Sequence, residues 1–76
     1  MTTDDRIMEA FRARLQQLID DRFEGKYSRL ARRAGMSVSS LQHILHTAKH
    51  FPSGDLLLRL AGATEVTVDY LLAGRT

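Results

Sequence analysis

Apolar residues recur along most of this chain at steps of three and four, the spacing that lines one face of a helix. Nowhere do they alternate with polar ones for long enough to suit a half-buried strand. From about Asp4 to Arg22 the pattern sets Ile7, Phe11, Leu15, Leu18 and Ile19 on one stripe, behind a Thr and Asp cluster suited to an N-cap. Gly25 interrupts it, and a short second helix is predicted over about Tyr27 to Ala34, with Leu30, Ala31 and Ala34 inward and Gly35 at its end. Ser37 can cap a third helix that buries Leu41, Ile44 and Leu45, and Pro52 requires that helix to give way to a loop over about Thr47 to Pro52. Ser53 caps a fourth, with Asp55 near the positive end of its dipole and Leu56, Leu57, Leu60 and Ala61 facing the core. Thr67 caps a fifth, in which Val68, Leu71 and Leu72 point inward and Gly74 marks the end. Leu and Ala supply nineteen residues against six of Val and Ile, in keeping with an all-α class. A compact five-helix domain over residues 1–76 is therefore expected, without internal repeats or low-complexity tracts.

The third predicted helix carries an unusual outer face. Ser39, Gln42, His43 and His46 share the side opposite the apolar stripe, so the exposed surface is rich in hydrogen-bonding groups where Glu and Lys are more common. Two short helices joined by Gly35-Met36-Ser37 meet the requirements of a helix-turn-helix over about residues 27–46. Gly35 can adopt the left-handed conformation that reverses the chain, Ala31 allows the helices to cross closely, and Leu41 fills the angle between them.

Charge sharpens this picture. Between Gly25 and Gly54 there is no acid, while Lys26, Arg29, Arg32, Arg33 and Lys49 give the stretch +5; the remainder, with six arginines and nine acids, carries −3. A basic segment that also holds His43, His46 and His50 would attract polyanions, although a solvated basic face would have the same composition. A chain of 76 residues leaves little room for a substrate cavity, and the absence of cysteine excludes a disulfide framework and thiolate chemistry. Ser39 and Ser40 have no strand-turn-helix elbow and no nearby acid to orient a histidine, so no catalytic residue and no enzyme is expected. His43, His46 and His50 could share a metal only if the helix ran on to His50, which Pro52 opposes; no metal, cofactor or small-molecule substrate is expected. No apolar run approaches a membrane span, and the Thr-Thr-Asp-Asp opening is unlike a signal peptide, so a soluble, cytoplasmic protein without a membrane partner is expected. Leu58 lies off the stripe of the fourth helix, and Val68 and Tyr70 flank the fifth, which makes these three the expected homodimer contacts.

The segment Leu30-Ala31-Arg32-Arg33-Ala34-Gly35-Met36-Ser37-Val38-Ser39-Ser40-Leu41 resembles the core of the helix-turn-helix domain of lambdoid phage repressors and Cro proteins, a family with many bacterial relatives. Pro52-Ser53, Leu56-Leu57-Leu58-Arg59-Leu60-Ala61 and Val66-Thr67-Val68-Asp69-Tyr70-Leu71-Leu72 are similar to that family's fourth and fifth helices, in the same order. The resemblance implies a lambda-repressor-like domain that binds double-stranded DNA as a homodimer, its third helix in the major groove of a palindromic operator. By matching position it implies base contacts from Val38, Ser39, Gln42 and His43, with Val38 suited to a thymine methyl and Gln42 to adenine. It places Lys26, Tyr27, Ser37, Ser40, His46, Thr47 and Lys49 toward phosphates. The chain departs from the family where Lys26 replaces a Thr or Ser cap, where Thr47 and Glu65 replace glycines, and in a loop after the third helix that is one residue longer. Two alternatives stay open. One is a protein-interaction module on the same fold, such as the antitoxin of a toxin–antitoxin pair; the other is that residues 1–76 are the N-terminal part of a longer repressor.

Overall fold

A computed structural model describes residues 3–74 of the chain, with the side chains of residues 5–74. Among the described residues five helices follow one another: α1 (Thr3–Arg22), α2 (Tyr27–Ala34), α3 (Val38–His46), α4 (Gly54–Thr64) and α5 (Val68–Ala73). There is no strand among the described residues. The radius of gyration, 11.4 Å, matches the value of about 11 Å expected for a compact unit of this length. Around α1 pack α5, α3 and α4, while α2 lies against α3 and α4.

Local chemistry sets the boundaries. The hydroxyls of Ser37, Ser53 and Thr67 accept from the amides of Ser40, Leu56 and Tyr70, and so cap α3, α4 and α5. The N-cap expected from the Thr and Asp cluster ahead of α1 falls partly outside the described residues. Gly35 ends α2 at φ +73°, its amide bonded to Arg32 and that of Met36 to Ala31 at 2.9 Å. Glu65 ends α4 by the same pair of bonds, to Gly62 and Ala61, at φ +61°, so a residue with a Cβ sits in a conformation that favours glycine. Lys26 caps α2 without any side-chain bond, leaving the first amides of that helix to other acceptors.

One core joins all five helices, built on Phe11, Leu15, Ile19, Leu30, Leu41, Leu60 and Leu71, with the Phe11 and Phe51 rings in a T-shaped contact, centroids 5.4 Å apart. The inward face of α1 differs from the expected one at its start: Ile7 is 39% exposed, whereas Met8 is 7% exposed and belongs to the core. With 100° between residues, Met8 lies about 35° from the centre of the stripe formed by Phe11, Leu15, Leu18 and Ile19, and Ile7 about 65° from it. The register of the larger set therefore decides against Ile7. On α4, Leu57, Leu60 and Ala61 are buried as expected, and Leu56 only partly; Ala63 and Thr64 extend the buried face. Thr64 satisfies its hydroxyl by donating to the Leu60 and Ala61 carbonyls at 2.7 and 3.3 Å. On α5, Leu71 is buried, while Val68 and Leu72 are half-buried against the core.

Among the described residues, four arginines hold helix C-termini. Arg12 donates to the carbonyls of Ile44 and Ala48 at the end of α3, and Arg14 to those of Leu71 and Leu72 at the end of α5. Arg22 donates to Thr64 at the end of α4, and Arg59 to Gly35 just beyond α2. Each guanidinium supplies cationic donors where carbonyls lack helical partners and the dipole is negative.

Candidate nucleic-acid interface

α3 buries Leu41, Ile44 and Leu45 and exposes Val38, Ser39, Gln42, His43 and His46. The alternation follows from helical geometry: the buried three lie at i, i+3 and i+4, so the side chains between them must face out. The Schellman-type end of α2 and the Ser37 cap leave only Gly35, Met36 and Ser37 between α2 and α3, and Met36 packs its side chain partly into the core. The two helices are thus held rigidly on each other, with the polar side of α3 outermost.

Hydrogen-bond direction assigns the polar groups of this face more finely than their types do. Ser37 Oγ accepts from the Ser40 amide and also lies 3.0 Å from Ser40 Oγ, so the two hydroxyls share one hydrogen bond at the start of α3. Tyr27, half-buried at the start of α2, donates its phenolic proton to Gln16 Oε1 at 2.6 Å. The Gln16 amide is itself oriented by donation from Nε2 to Asp20 at 3.1 Å. The Tyr27 oxygen is left to accept from His46 Nε2, 3.4 Å away, with the two rings tilted at 6.1 Å. The start of α2 and the end of α3 are thereby joined. Thr47, the C-cap of α3, directs its amide and hydroxyl to His43.

Charge is less one-sided in space than in sequence. Arg29 pairs with Glu24 at 3.3 Å and Arg33 with Glu65 at 3.5 Å, both pairs exposed, with each acid supplied from outside the acid-free stretch. Such pairs are weak, yet they offset part of the field. Lys26, Arg32 and Lys49 take part in none of the ion pairs among the described residues. Lys49 shares a cleft of about 410 Å³ with Asp5, Glu9, Arg12, His46 and Thr47, so two acids of α1 stand near the loop expected to meet a phosphate.

The predicted residues accordingly fall into groups. Val38, Ser39, Gln42, His43 and His46 occupy one exposed side of α3; Ser37 and Ser40 sit at its start; Tyr27, Thr47 and Lys49 border its end, and Lys26 precedes α2. Leu58 stands apart on α4 and is 67% exposed, whereas Val68 and Tyr70 are half-buried against the core. Gln16 and Arg12, which position Tyr27 and the end of α3, carry no motif or spacing that marks them in the sequence. α3 stops at His46, which takes His50 off the helix, and no three metal-ligating side chains converge among the described residues. No helix of the described residues is long and apolar enough to cross a membrane. Comparison with protein-family models, curated proteins and solved structures gives no match to this chain.

Proposed function

We propose that this chain is a sequence-specific regulator that binds double-stranded DNA, with α2, the Gly35-Met36-Ser37 turn and α3 acting as a helix-turn-helix. The single observation that carries the reading is the outer side of α3: an exposed array of Val38, Ser39, Gln42 and His43, without a carboxylate, on a helix whose other side is locked into the core. A helix of this width fits the major groove, and these side chain types can read base edges there. Lys26, Arg32 and Lys49, with the open amides of α2, supply attraction to phosphates. In the chain's resemblance to lambdoid repressors the same helices have the same tasks. Repression by occupying a palindromic operator as a homodimer is the mode of action it supports.

Selection of bound duplexes from a random-sequence library tests the reading, with the protein concentrated enough to populate a weak dimer. Enrichment of a near-palindrome with half-sites about one helical turn apart is the expected result. A failure to enrich any sequence would sink it. The exposed Leu58 also suits a protein partner, and a salt-insensitive 1:1 protein complex without measurable DNA binding would favour the antitoxin-like alternative.

A further inference from the structure

Thr47 does not behave as a side chain waiting for a ligand. Its amide donates to the His43 carbonyl at 3.0 Å, its hydroxyl lies 3.3 Å from that same carbonyl oxygen, and the hydroxyl is hydrogen-bonded to His43 Nδ1. Among the described residues, every polar contact that Thr47 makes through these groups is with one residue, a turn earlier on the same exposed face. A Thr hydroxyl has one proton and two acceptor sites, and here they are engaged by the carbonyl and the ring nitrogen. With the hydroxyl proton directed to the His43 carbonyl, the hydroxyl oxygen is left to accept from Nδ1–H, and the imidazole is thereby held at that nitrogen. That leaves Nε2 as the ring nitrogen free to meet another molecule.

We infer that Thr47 is a positioning residue for His43, presetting the imidazole so that Nε2 reads one base pair, and that it is not a phosphate ligand. The inference rests on the DNA-binding reading given above. An exposed histidine otherwise samples several rotamers, and restricting it before binding removes an ordering cost from the recognition step. Glycine, the usual residue at this place in the resembling family, has no hydroxyl with which to hold a ring. The leash belongs to the particular pairing of His43 with Thr47 in this chain.

The leash is read without DNA from the ring-nitrogen chemical shifts of His43 in the free protein. Thr47→Val, which keeps the backbone bond and removes the hydroxyl, is expected to shift the Nδ1 resonance, and Thr47→Ser to leave it in place. An unmoved resonance in Thr47→Val overturns the inference. On DNA, His43→Ala is expected to reduce discrimination at one base pair by about tenfold. Thr47→Val is expected to reduce it at the same base pair, Thr47→Ser to restore it, and Thr47→Val to add nothing once His43 is Ala. A uniform loss on cognate and random DNA that persists in the His43→Ala background makes Thr47 a phosphate contact and overturns the assignment. A wild-type protein with no preferred sequence overturns the DNA-binding reading, and this assignment with it, while the free-protein spectra still report on the leash.

Discussion

Arg12 and Ile44 lie 32 positions apart in the chain, yet Arg12 Nε donates to the Ile44 carbonyl at 3.2 Å, while Nη2 of the same guanidinium donates to Ala48. One side chain of α1 thus holds both the last turn of α3 and the first residues of the following loop. The planar fork of arginine can serve two carbonyls at once, which an ammonium cannot do with the same geometry. Arg12→Met is expected to lower stability by about 2 kcal/mol, because cationic donors are lost from partly buried carbonyls. Arg12→Lys should recover only part of it, and Arg29→Ala, which breaks an exposed ion pair, should cost less than about 0.5 kcal/mol. Urea unfolding monitored by circular dichroism checks the order; equal losses for Arg12→Met and Arg29→Ala would contradict it.

Glu65 and Gly35 occupy the same place at the ends of α4 and α2, with the same left-handed backbone. Glu65→Gly is expected to stabilise the fold by about 0.5 to 1 kcal/mol, since the strain of a Cβ at positive φ exceeds the value of the long, exposed pair with Arg33. Gly35→Ala should destabilise it by about 1 kcal/mol through backbone strain, because the nearest atom to an added Cβ is Arg59 Nη1 at 3.8 Å and space is not limiting. Melting temperatures that move in opposite directions for the two variants are the test.

The bond from the Ser40 amide to Ser37 Oγ separates two nearby hydroxyls by role. Ser37→Ala removes the α3 cap and should cost about 1 kcal/mol of stability. Ser40→Ala should change stability by less than about 0.5 kcal/mol, since Ser40 leaves the cap's amide bond intact. Its effect is expected on DNA instead, weakening cognate and random duplexes alike, because its hydroxyl is exposed at the start of α3 where a phosphate can approach. Paired unfolding and binding measurements check both, and a stable Ser37→Ala variant would remove the basis for the division.

Base reading and phosphate attraction have different signatures in salt. Ser39→Ala and Gln42→Ala are expected to relax sequence preference, Gln42→Ala by about 1 to 3 kcal/mol at one base pair. Lys49→Ala should weaken binding to every duplex and lower the salt slope by about one unit. Titrations of cognate and random DNA over a range of salt distinguish the two, and identical losses on both duplexes for Gln42→Ala would contradict its role.

Among the described residues, Leu58 is the large apolar side chain most open to solvent, 67% exposed on a helix whose other leucines face the core. On the proposal that this chain acts as a homodimer through this face, Leu58→Asp should leave the monomer's melting temperature within a few degrees and abolish concentration-dependent dimerisation. Sedimentation equilibrium of the two proteins at matched concentrations decides the matter. An unchanged dimer would move the interface elsewhere.

What could be read from the chain alone is what is settled within a turn or two of helix. The five helices, the caps at Ser37, Ser53 and Thr67, the reversals at Gly35 and Gly74 and the buried Leu41, Ile44 and Leu45 each depend on residues within about four positions of one another. The exposed side of α3 was legible for the same reason, as were in principle the Ser37–Ser40 and His43–Thr47 pairs. Contacts across the fold decided the rest. Arg12, Arg14 and Arg22, indistinguishable in sequence from surface cations, are drawn to carbonyls 32 to 58 positions away. The acid-free stretch is partly neutralised by Glu24 and Glu65 from its flanks, and Tyr27 is turned by Gln16 of α1 rather than by any neighbour in its own helix. Periodicity fixes which way a side chain faces on its own helix. The partner it meets there is set only when a second helix, with its own register and its own unpaired carbonyls, packs against it.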